Sequence, residues 1–172
     1  MIVLETPRLV LRRTTHADLD ALAEAYCDRD NMRYFPKPYN RDDVAAVIER
    51  VLMRYQRDGV SKWAVIVKAT GEVAGDCGLM MQEVDGTQEM EVGYVFARRF
   101  QGQGYATEAA RASMQYAFEK LDRARLISLI RPENTPSRRV AERNGLKVEK
   151  EAIFHELPHL VYAVHRDSWS AR

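Results

Sequence analysis

A pair of glycines, Gly102 and Gly104, stands between an apolar segment and a segment with helical periodicity. Glycines at such a turn let bare backbone approach a ligand closely. The helix that follows presents its unpaired N–H groups and the positive end of its dipole to the same place. The pattern therefore predicts an anion site of the kind that binds a pyrophosphate.

Taken alone, the glycine pair is a weak signal. Motif residues that are missing from the loop argue against some classes of phosphate-bearing ligand. The loop lacks the Lys-Ser/Thr pair of a nucleoside triphosphate site. It also lacks the third glycine of a dinucleotide fingerprint, because Thr107 stands three residues after Gly104. No parallel βαβ pattern precedes the loop. Triphosphate hydrolysis and dinucleotide binding are both disfavoured.

A second pattern, His155-Glu156-Leu157-Pro158-His159, matches the HExxH motif of zinc proteases. That chemistry needs both histidines on one face of a helix, and Pro158 interrupts such a helix. Only 13 residues follow His159 to supply a third ligand. We therefore expect a loop between two strands and no metal. Ser113 and Ser128 lack a convincing partner base, so a covalent enzyme intermediate is also disfavoured.

Composition sets the broad class of protein. The chain has 172 residues, 46% of them hydrophobic and 30% charged, with a net charge of +1. We expect one domain over residues 1–172, with no nucleic acid or membrane as a partner. Cys27 and Cys77 do not make a disulfide framework. Glu5 interrupts the first apolar residues, which argues against a signal peptide, and a cytoplasmic location is expected.

Periodicity and turn residues predict four helices and seven strands. The helices are expected over 16–27, 42–56, from Gly104 onward, and from Asn134 to the Asn144-Gly145 cap. The strands are expected at 9–11, 63–68, 73–81, 146–151, 160–165, 126–130 and from Glu89 to the glycine loop. Strands in antiparallel sequence, with helices before and after them, indicate an α+β fold with a mixed, mostly antiparallel sheet of about seven strands and about four helices.

The strand from Glu89 carries its side chains on two distinct faces. Met90, Val92, Tyr94 and Phe96 fall on one face, whereas Glu91 and Gly93 fall on the other. A glycine inside a strand indicates either a bulge or the close approach of a ligand. A carboxylate and a glycine therefore share one face of this strand.

Several motifs together resemble the Gcn5-related N-acetyltransferase superfamily. Arg99-Phe100-Gln101-Gly102-Gln103-Gly104-Tyr105-Ala106 is similar to its Arg/Gln-x-x-Gly-x-Gly/Ala motif, and Glu91-Val92-Gly93-Tyr94 resembles its fourth strand. Asn134-x-x-Ser137-x-x-Val140-Ala141-Glu142-x-x-Gly145-Leu146 resembles its second cofactor-side motif. Thr6-Pro7-Arg8-Leu9-x-Leu11-Arg12 and Tyr162-x-x-x-Arg166-Asp167-x-Trp169 resemble the subgroup of ribosomal-protein N-terminal acetyltransferases. The resemblance covers essentially the whole chain.

The resemblance implies acetyl-CoA as the co-substrate. It places the pyrophosphate on the amides of residues 101–106, the pantetheine on the strand at 94–97, and Asn134 and Ser137 on the far side of the cofactor. Asn134 could equally be a helix cap. The expected cofactor-binding residues are Tyr94, Val95, Phe96, Ala97, Arg99, Gln101, Gly102, Gln103, Gly104, Tyr105, Ala106, Asn134 and Ser137.

The implied reaction is direct attack of a neutral amine on the acetyl thioester. At pH 7, deprotonation costs about 1 kcal/mol for an α-amine and about 4.6 kcal/mol for a lysine. Glu91 is the candidate base, with Glu89 as its neighbouring competitor, although Glu91 could also be a solvated edge carboxylate. Ser137 is the candidate acid by analogy with one subgroup. The family's acid tyrosine has no counterpart at Asn134–Ser137, which leaves the acid open.

The amine acceptor stays open at this stage. The aromatic, proline-bearing loop over 29–40 could cover the core or form a pocket wall. The same alternatives hold for four candidate substrate-binding residues, Phe35, Tyr39, Trp63 and Tyr162. The acceptor is either a protein N-terminal α-amine or a small-molecule amine, and a non-catalytic CoA-binding module is the rival interpretation. A homodimer is only a family-level expectation.

Overall fold

The computed structural model describes residues 1–170 and contains one eight-stranded sheet. Its order is β1-β2-β3-β4-β5-β6-β8-β7, and only the β5–β6 pair is parallel. The strands are β1 Ile2–Glu5, β2 Leu9–Arg13, β3 Lys62–Val67, β4 Val73–Val84, β5 Thr87–Phe96, β6 Arg125–Ile130, β7 Lys147–Phe154 and β8 Leu157–His165. The α+β class and the mostly antiparallel sheet are confirmed.

The strand that the sequence missed is β1, so the sheet has eight strands instead of about seven. It is a four-residue edge strand that pairs only with β2, and both of its ends are exposed. A segment this short shows too few alternations to reveal a buried face. The strand becomes visible only through its backbone pairing with β2.

Four α-helices pack on the sheet, as predicted: α1 Leu19–Tyr26, α2 Arg41–Asp58, α3 Tyr105–Glu119 and α4 Thr135–Arg143. Helix α1 begins later than residue 16 because a 3₁₀ turn precedes it. In that turn the Asp18 carboxylate accepts the backbone N–H of Thr15 and a bidentate pair of bonds from Arg12. Asn40 caps α2, and Gly59 ends it in the left-handed conformation.

The helices lie on opposite faces of the sheet. Neighbouring residues of β3 and β4 show this, because side chains alternate along a strand. Lys62 and Asp76 contact Tyr26 of α1, whereas Cys77 lies beside Ser113 of α3. The sheet therefore has an α1–α2 face and an α3–α4 face.

The parallel strands β5 and β6 separate toward their carboxyl ends. Their register is the single pair Glu91 and Ile127, and one residue further on the Ser128 hydroxyl still donates to the Val92 carbonyl at 2.8 Å. Beyond this point β6 ends at Ile130, while β5 continues to Phe96. The sheet thus opens beside residues 93–96, directly before the glycine loop.

Within residues 1–170, none of the helices has the length and apolar character needed to span a membrane.

Candidate active site

The glycine loop has the backbone geometry that its sequence predicts. Gly102 and Gly104 have φ angles of 74° and 82°, a region that disfavours residues with a side chain. Gly104 is the N-cap of α3 and carries no side chain that could accept from the helix. The first intrahelical bond is donated by Glu108, which leaves the N–H groups of residues 105–107 without helical partners. The loop can therefore donate several backbone N–H groups to an anion.

The amino-terminal segment braces this loop. The Glu108 carboxylate, one turn into α3, accepts from the Thr6 hydroxyl at 2.6 Å and from the Arg8 Nε at 2.6 Å. Arg8 also donates to the Gln103 carbonyl at 2.9 Å. These bonds fix the loop from behind and leave its N–H groups free.

A cavity of about 620 Å³, which we call the glycine-loop cavity, lies in front of the loop. Ten of the predicted cofactor residues line it: Tyr94, Val95, Phe96, Gln101, Gly102, Gly104, Tyr105, Ala106, Asn134 and Ser137. The sequence argument missed Arg139 and Arg143, one turn apart on α4, which also line it. The two arginines lie four residues apart in the helix that Asn134 caps, and this spacing in the sequence indicated that their side chains share one face of the helix.

Three other predicted cofactor residues, Ala97, Arg99 and Gln103, do not line this cavity, and their contribution stays a prediction. Ala97 is buried and its N–H donates to β4 at the Ala74 carbonyl. The Arg99 guanidinium pairs with Glu24 and Glu72 on another surface. The Gln103 side chain donates to the Arg99 carbonyl. A motif fixes the backbone path of a loop, but these side chains point to partners elsewhere.

The open edge of β5 adds a peptide group to the cavity. The Val92 carbonyl accepts from Ser128, and the Phe96 carbonyl accepts from the side chains of Asn31 and Gln101. Both carbonyls thus face away from β4. Because peptide groups alternate along a strand, the N–H and C=O of Tyr94 face the same gap. This edge can pair with an extended amide-bearing ligand.

A second cavity of about 720 Å³, which we call the Glu91 cavity, adjoins the first. The Glu91 side chain is 8% exposed and accepts from Gln82 Nε2 at 2.8 Å and from the Leu129 N–H at 3.3 Å. Burial raises the pKa of Glu91, although the bonds from Gln82 and Leu129 oppose the increase. A carboxylate with a raised pKa, in reach of a cavity, can accept a proton.

Gly93 keeps the Glu91 cavity open. A Cβ at this position would lie 2.9 Å from Met80 Cε and 3.8 Å from the Glu91 carboxylate. The register between β4 and β5 is regular here, so Gly93 marks close approach and no bulge. Glu89, the competing base, pairs with Arg125 and does not line the cavity.

Asn134 and Ser137 line both cavities. Asn134 Oδ1 accepts the N–H of Ser137 at 3.2 Å, so Asn134 is a helix cap as well as a wall residue. The Ser137 carbonyl accepts from the Tyr94 hydroxyl at 3.3 Å. Tyr94 and Val95 also line both cavities, so the two spaces meet at the carboxyl end of β5.

The four aromatic candidates for the acceptor pocket divide into two groups. Phe35 and Tyr39 line the Glu91 cavity, Phe35 also lines the glycine-loop cavity, and Tyr39 stacks on Tyr26. Trp63 is 1% exposed and packs edge-on against Tyr116 of α3. Tyr162 is fully buried, and its hydroxyl binds Arg138 and Glu142 of α4. Trp63 and Tyr162 therefore belong to the core and are not pocket walls, because they point to the α3–α4 face.

The HExxH stretch forms the turn between β7 and β8. His155 and Glu156 have φ angles of 48° and 63°, and β8 starts at Leu157. The two histidines thus do not share a helical face. The predicted loop between two strands is confirmed, and the turn forms part of the rim of the Glu91 cavity.

Comparison with known proteins agrees with this geometry. The family model described as an acetyltransferase (GNAT) domain matches residues 8–147. The uncharacterized N-acetyltransferase YnaD of Bacillus subtilis (strain 168) is 30% identical over 174 residues, which span 96% of this chain and 98% of YnaD.

Solved structures show the same fold. The acetyltransferase from Agrobacterium tumefaciens str. C58 superposes with a TM-score of 0.83 at 30% identity, covering 95% of this chain and 94% of that one. The ribosomal L7/L12 alpha-N-protein acetyltransferase RimL, solved in complex with coenzyme A, superposes with a TM-score of 0.80 at 19% identity, covering 98% and 99%. This chain belongs to the GNAT family and is an N-acetyltransferase.

Proposed function

We propose that this protein, as one acetyltransferase domain over residues 1–172, transfers the acetyl group of acetyl-CoA to a primary amine by direct attack in a ternary complex. The observation that carries the proposal is the junction of the two cavities at Tyr94 and Val95. One cavity presents free backbone N–H groups to an anion, and the other contains a buried carboxylate. A donor and an acceptor can therefore meet without a covalent enzyme intermediate.

The glycine-loop cavity fits coenzyme A by its donor groups. The N–H groups at the start of α3 suit a pyrophosphate, and the Arg139 and Arg143 guanidiniums add positive charge for phosphate oxygens. The free peptide group of Tyr94 suits the amides of a pantetheine arm. When bound, acetyl-CoA supplies a thioester whose C–S bond breaks as the amine nitrogen bonds to its carbonyl carbon, and the sulfur leaves as a thiol.

Glu91 is the proposed base, directly or through water. An ammonium must lose a proton before its nitrogen can attack, and a carboxylate with a raised pKa accepts that proton with a smaller penalty. For an α-amine at pH 7, the loss of this proton costs only about 1 kcal/mol, which a carboxylate base can readily support. A lysine side chain would require about 4.6 kcal/mol.

Ser137 is the proposed proton donor to the leaving sulfur. Its position on the wall of both cavities supports this role. Alternatively, no protein acid is needed, because a thiol has a low pKa and its thiolate can leave without being protonated. Substitution of Ser137 separates the two cases.

Two acceptors have support. The amino-terminal and carboxyl-terminal motifs resemble those of ribosomal-protein N-terminal acetyltransferases, which favours a protein N-terminal α-amine. The Glu91 cavity, with its aromatic walls of Phe35 and Tyr39, favours a small-molecule amine. In either case the reacting nitrogen is a primary amine beside Glu91.

The test is release of free thiol from acetyl-CoA across a panel of small amines and short peptides, paired with the melting temperature in the presence of CoA. Turnover with at least one amine is expected. If CoA raises the melting temperature but no amine is acetylated, the protein is a non-catalytic CoA-binding module. If CoA gives no shift, the assignment of the glycine-loop cavity fails.

A further inference from the structure

More cationic than anionic side chains line the Glu91 cavity, although the whole chain has a net charge of only +1. Five Lys or Arg side chains line it, against two carboxylates, Glu91 and Glu156. The five cations are Lys37, Arg50, Arg54, Lys62 and Arg131. A cavity for a simple cationic amine would be expected to carry the opposite charge.

Three of these cations already have carboxylate partners. Lys37 pairs with Asp43, Lys62 with Asp76, and Arg131 with Glu133, at 2.7, 3.1 and 2.6 Å. Their positive charge is thus largely compensated within the protein. One donor of this group is still unused, because the buried Nε of Arg131 has no hydrogen-bond partner within residues 1–170.

Arg50 and Arg54 differ from the other three. They lie four residues apart on α2, so their side chains share one face of the helix. Within the described part of the chain neither guanidinium forms an ion pair. Arg54 is half-buried, and its guanidinium donates to Met80 Sδ at 3.4 Å, although a thioether is a weak acceptor.

The position of Arg54 links it to the reacting end of the cavity. Met80 pairs directly with Glu91 across β4 and β5, so the guanidinium that contacts Met80 lies over the strand position next to Glu91. A guanidinium binds carboxylate or phosphate oxygens with two parallel bonds. The cavity therefore holds a carboxylate and, close to it, a guanidinium that forms no ion pair within residues 1–170.

We propose that the acceptor is an amine that also carries a carboxylate or a phosphate, and that Arg54, with Arg50, binds this anionic group while the amine lies beside Glu91. This inference rests on the proposed function and names the substrate class of the same site. The guanidiniums also oppose an ammonium at this position, which favours the neutral amine that attacks. A polyamine, with two or more positive charges, would be excluded for the same reason.

The experiment compares amines that differ only in the anionic group. The pairs are β-alanine and β-alanine amide, phosphoethanolamine and ethanolamine, and the C-terminally amidated dipeptides Asp-Ala-NH2 and Asn-Ala-NH2, each measured with acetyl-CoA. Since a charge-assisted pair contributes more than a neutral bond, we expect kcat/KM to be at least about tenfold higher for the anionic members. The first two pairs distinguish carboxylate from phosphate, and the third tests an acidic peptide as the source.

Arg54→Gln should remove this preference. We expect it to raise the KM of the anionic amines about tenfold more than the KM of their partners without an anionic group, so that the two members of each pair react at similar rates. The matched control is Arg57→Gln, one turn further along α2, because Arg57 pairs with Asp58 outside both cavities. That control should retain the full preference for anionic amines.

A binding measurement keeps the inference testable without turnover. N-acetyl-β-alanine should raise the melting temperature of the wild-type protein, whereas its amide should not, and Arg54→Gln should lose the shift. Equal rates for both members of each pair, or a preference for spermidine, would overturn the anionic acceptor while the acetyltransferase proposal stands. If no amine reacts and N-acetyl-β-alanine also fails to raise the melting temperature, the proposal of an anionic acceptor is overturned. Absence of CoA binding would instead overturn the proposed function.

Discussion

The two adjoining cavities are built in different ways. The glycine-loop cavity takes its N–H donors from one contiguous stretch of backbone, residues 101–107, to which α4 adds Arg139 and Arg143. The Glu91 cavity takes its walls from α1, α2 and α4, the loop over 34–39, strands β3 to β6 and the β7–β8 hairpin. Backbone amides can bind the same phosphate in many proteins, whereas a set of side chains is particular to one chain. The difference explains why the donor can be identified more easily than the acceptor.

The largest expected effect comes from a test of which aromatic residues form the wall of the Glu91 cavity. Trp63→Ala should lower the free energy of unfolding by about 3–5 kcal/mol, because it removes a fully buried ring from the core. Phe35→Ala should change stability little, since Phe35 is 38% exposed, and should raise the KM of the amine instead. Urea unfolding and steady-state kinetics measure both. A stable Trp63→Ala protein with an altered amine KM would move Trp63 into the pocket.

Replacement of Glu91, the proposed base, should affect the rate more than the fold. Glu91→Gln should lower kcat at pH 7 about 100-fold, because general-base catalysis is lost while the shape is kept. In the wild type the rate should rise with pH through the raised pKa of Glu91, and the variant should lack this rise. Glu89→Gln is the control, and it should retain both the rate and the pH profile.

The same substitution has a predictable effect on stability. Because folding raises the pKa of Glu91, the stabilising contribution of its protonated form is present at low pH and is lost as pH rises through the folded-state pKa. The Gln variant should therefore be at least as stable as the wild type above that pH. A melting temperature of Glu91→Gln that falls below the wild type only at high pH would contradict the burial argument.

A glycine substitution tests the backbone origin of the donor site. Gly104→Ala and Gly86→Ala place a side chain at φ angles of 82° and 75°, so each should destabilise the protein by about 1–2 kcal/mol. Only Gly104 lies at the start of α3, so only its variant should weaken CoA binding, by about tenfold. Calorimetric titration of both variants with CoA measures the difference. Equal affinities would show that the loop conformation does not determine donor binding.

The residues shared by both cavities give the smallest effects. Asn134→Ala should cost about 1 kcal/mol of stability, because it removes the cap on the Ser137 N–H. Ser137→Ala should leave stability unchanged and lower kcat by no more than about tenfold, since a thiol leaves readily. Thermal unfolding and single-turnover rates separate the two roles. A loss of rate near 100-fold in Ser137→Ala would make it an essential acid.

Much of the fold follows from local sequence signals. Helical periodicity predicted α2 over 42–56, within two residues of its observed ends at Arg41 and Asp58. The β1 strand could not be predicted, because its four residues show no buried face without β2. The adjacent pair Lys62 and Trp63 illustrates the limit for the site. Alternation predicts that they face opposite sides, but not which side holds the cavity.

The sequence by itself determined the donor site, because φ angles, helix ends and free N–H groups are properties of neighbouring residues. The anion site could be predicted from Gly102, Gly104 and the helix directly after them, without knowledge of any contact distant in the sequence. Only the tertiary structure decided which side chains meet at the acceptor. Arg54 and Glu91 are 37 positions apart in the chain, and they approach each other because β4 pairs with β5 while α2 packs over the same face. Such long-range contacts depend on the packing of whole elements, which no local pattern encodes.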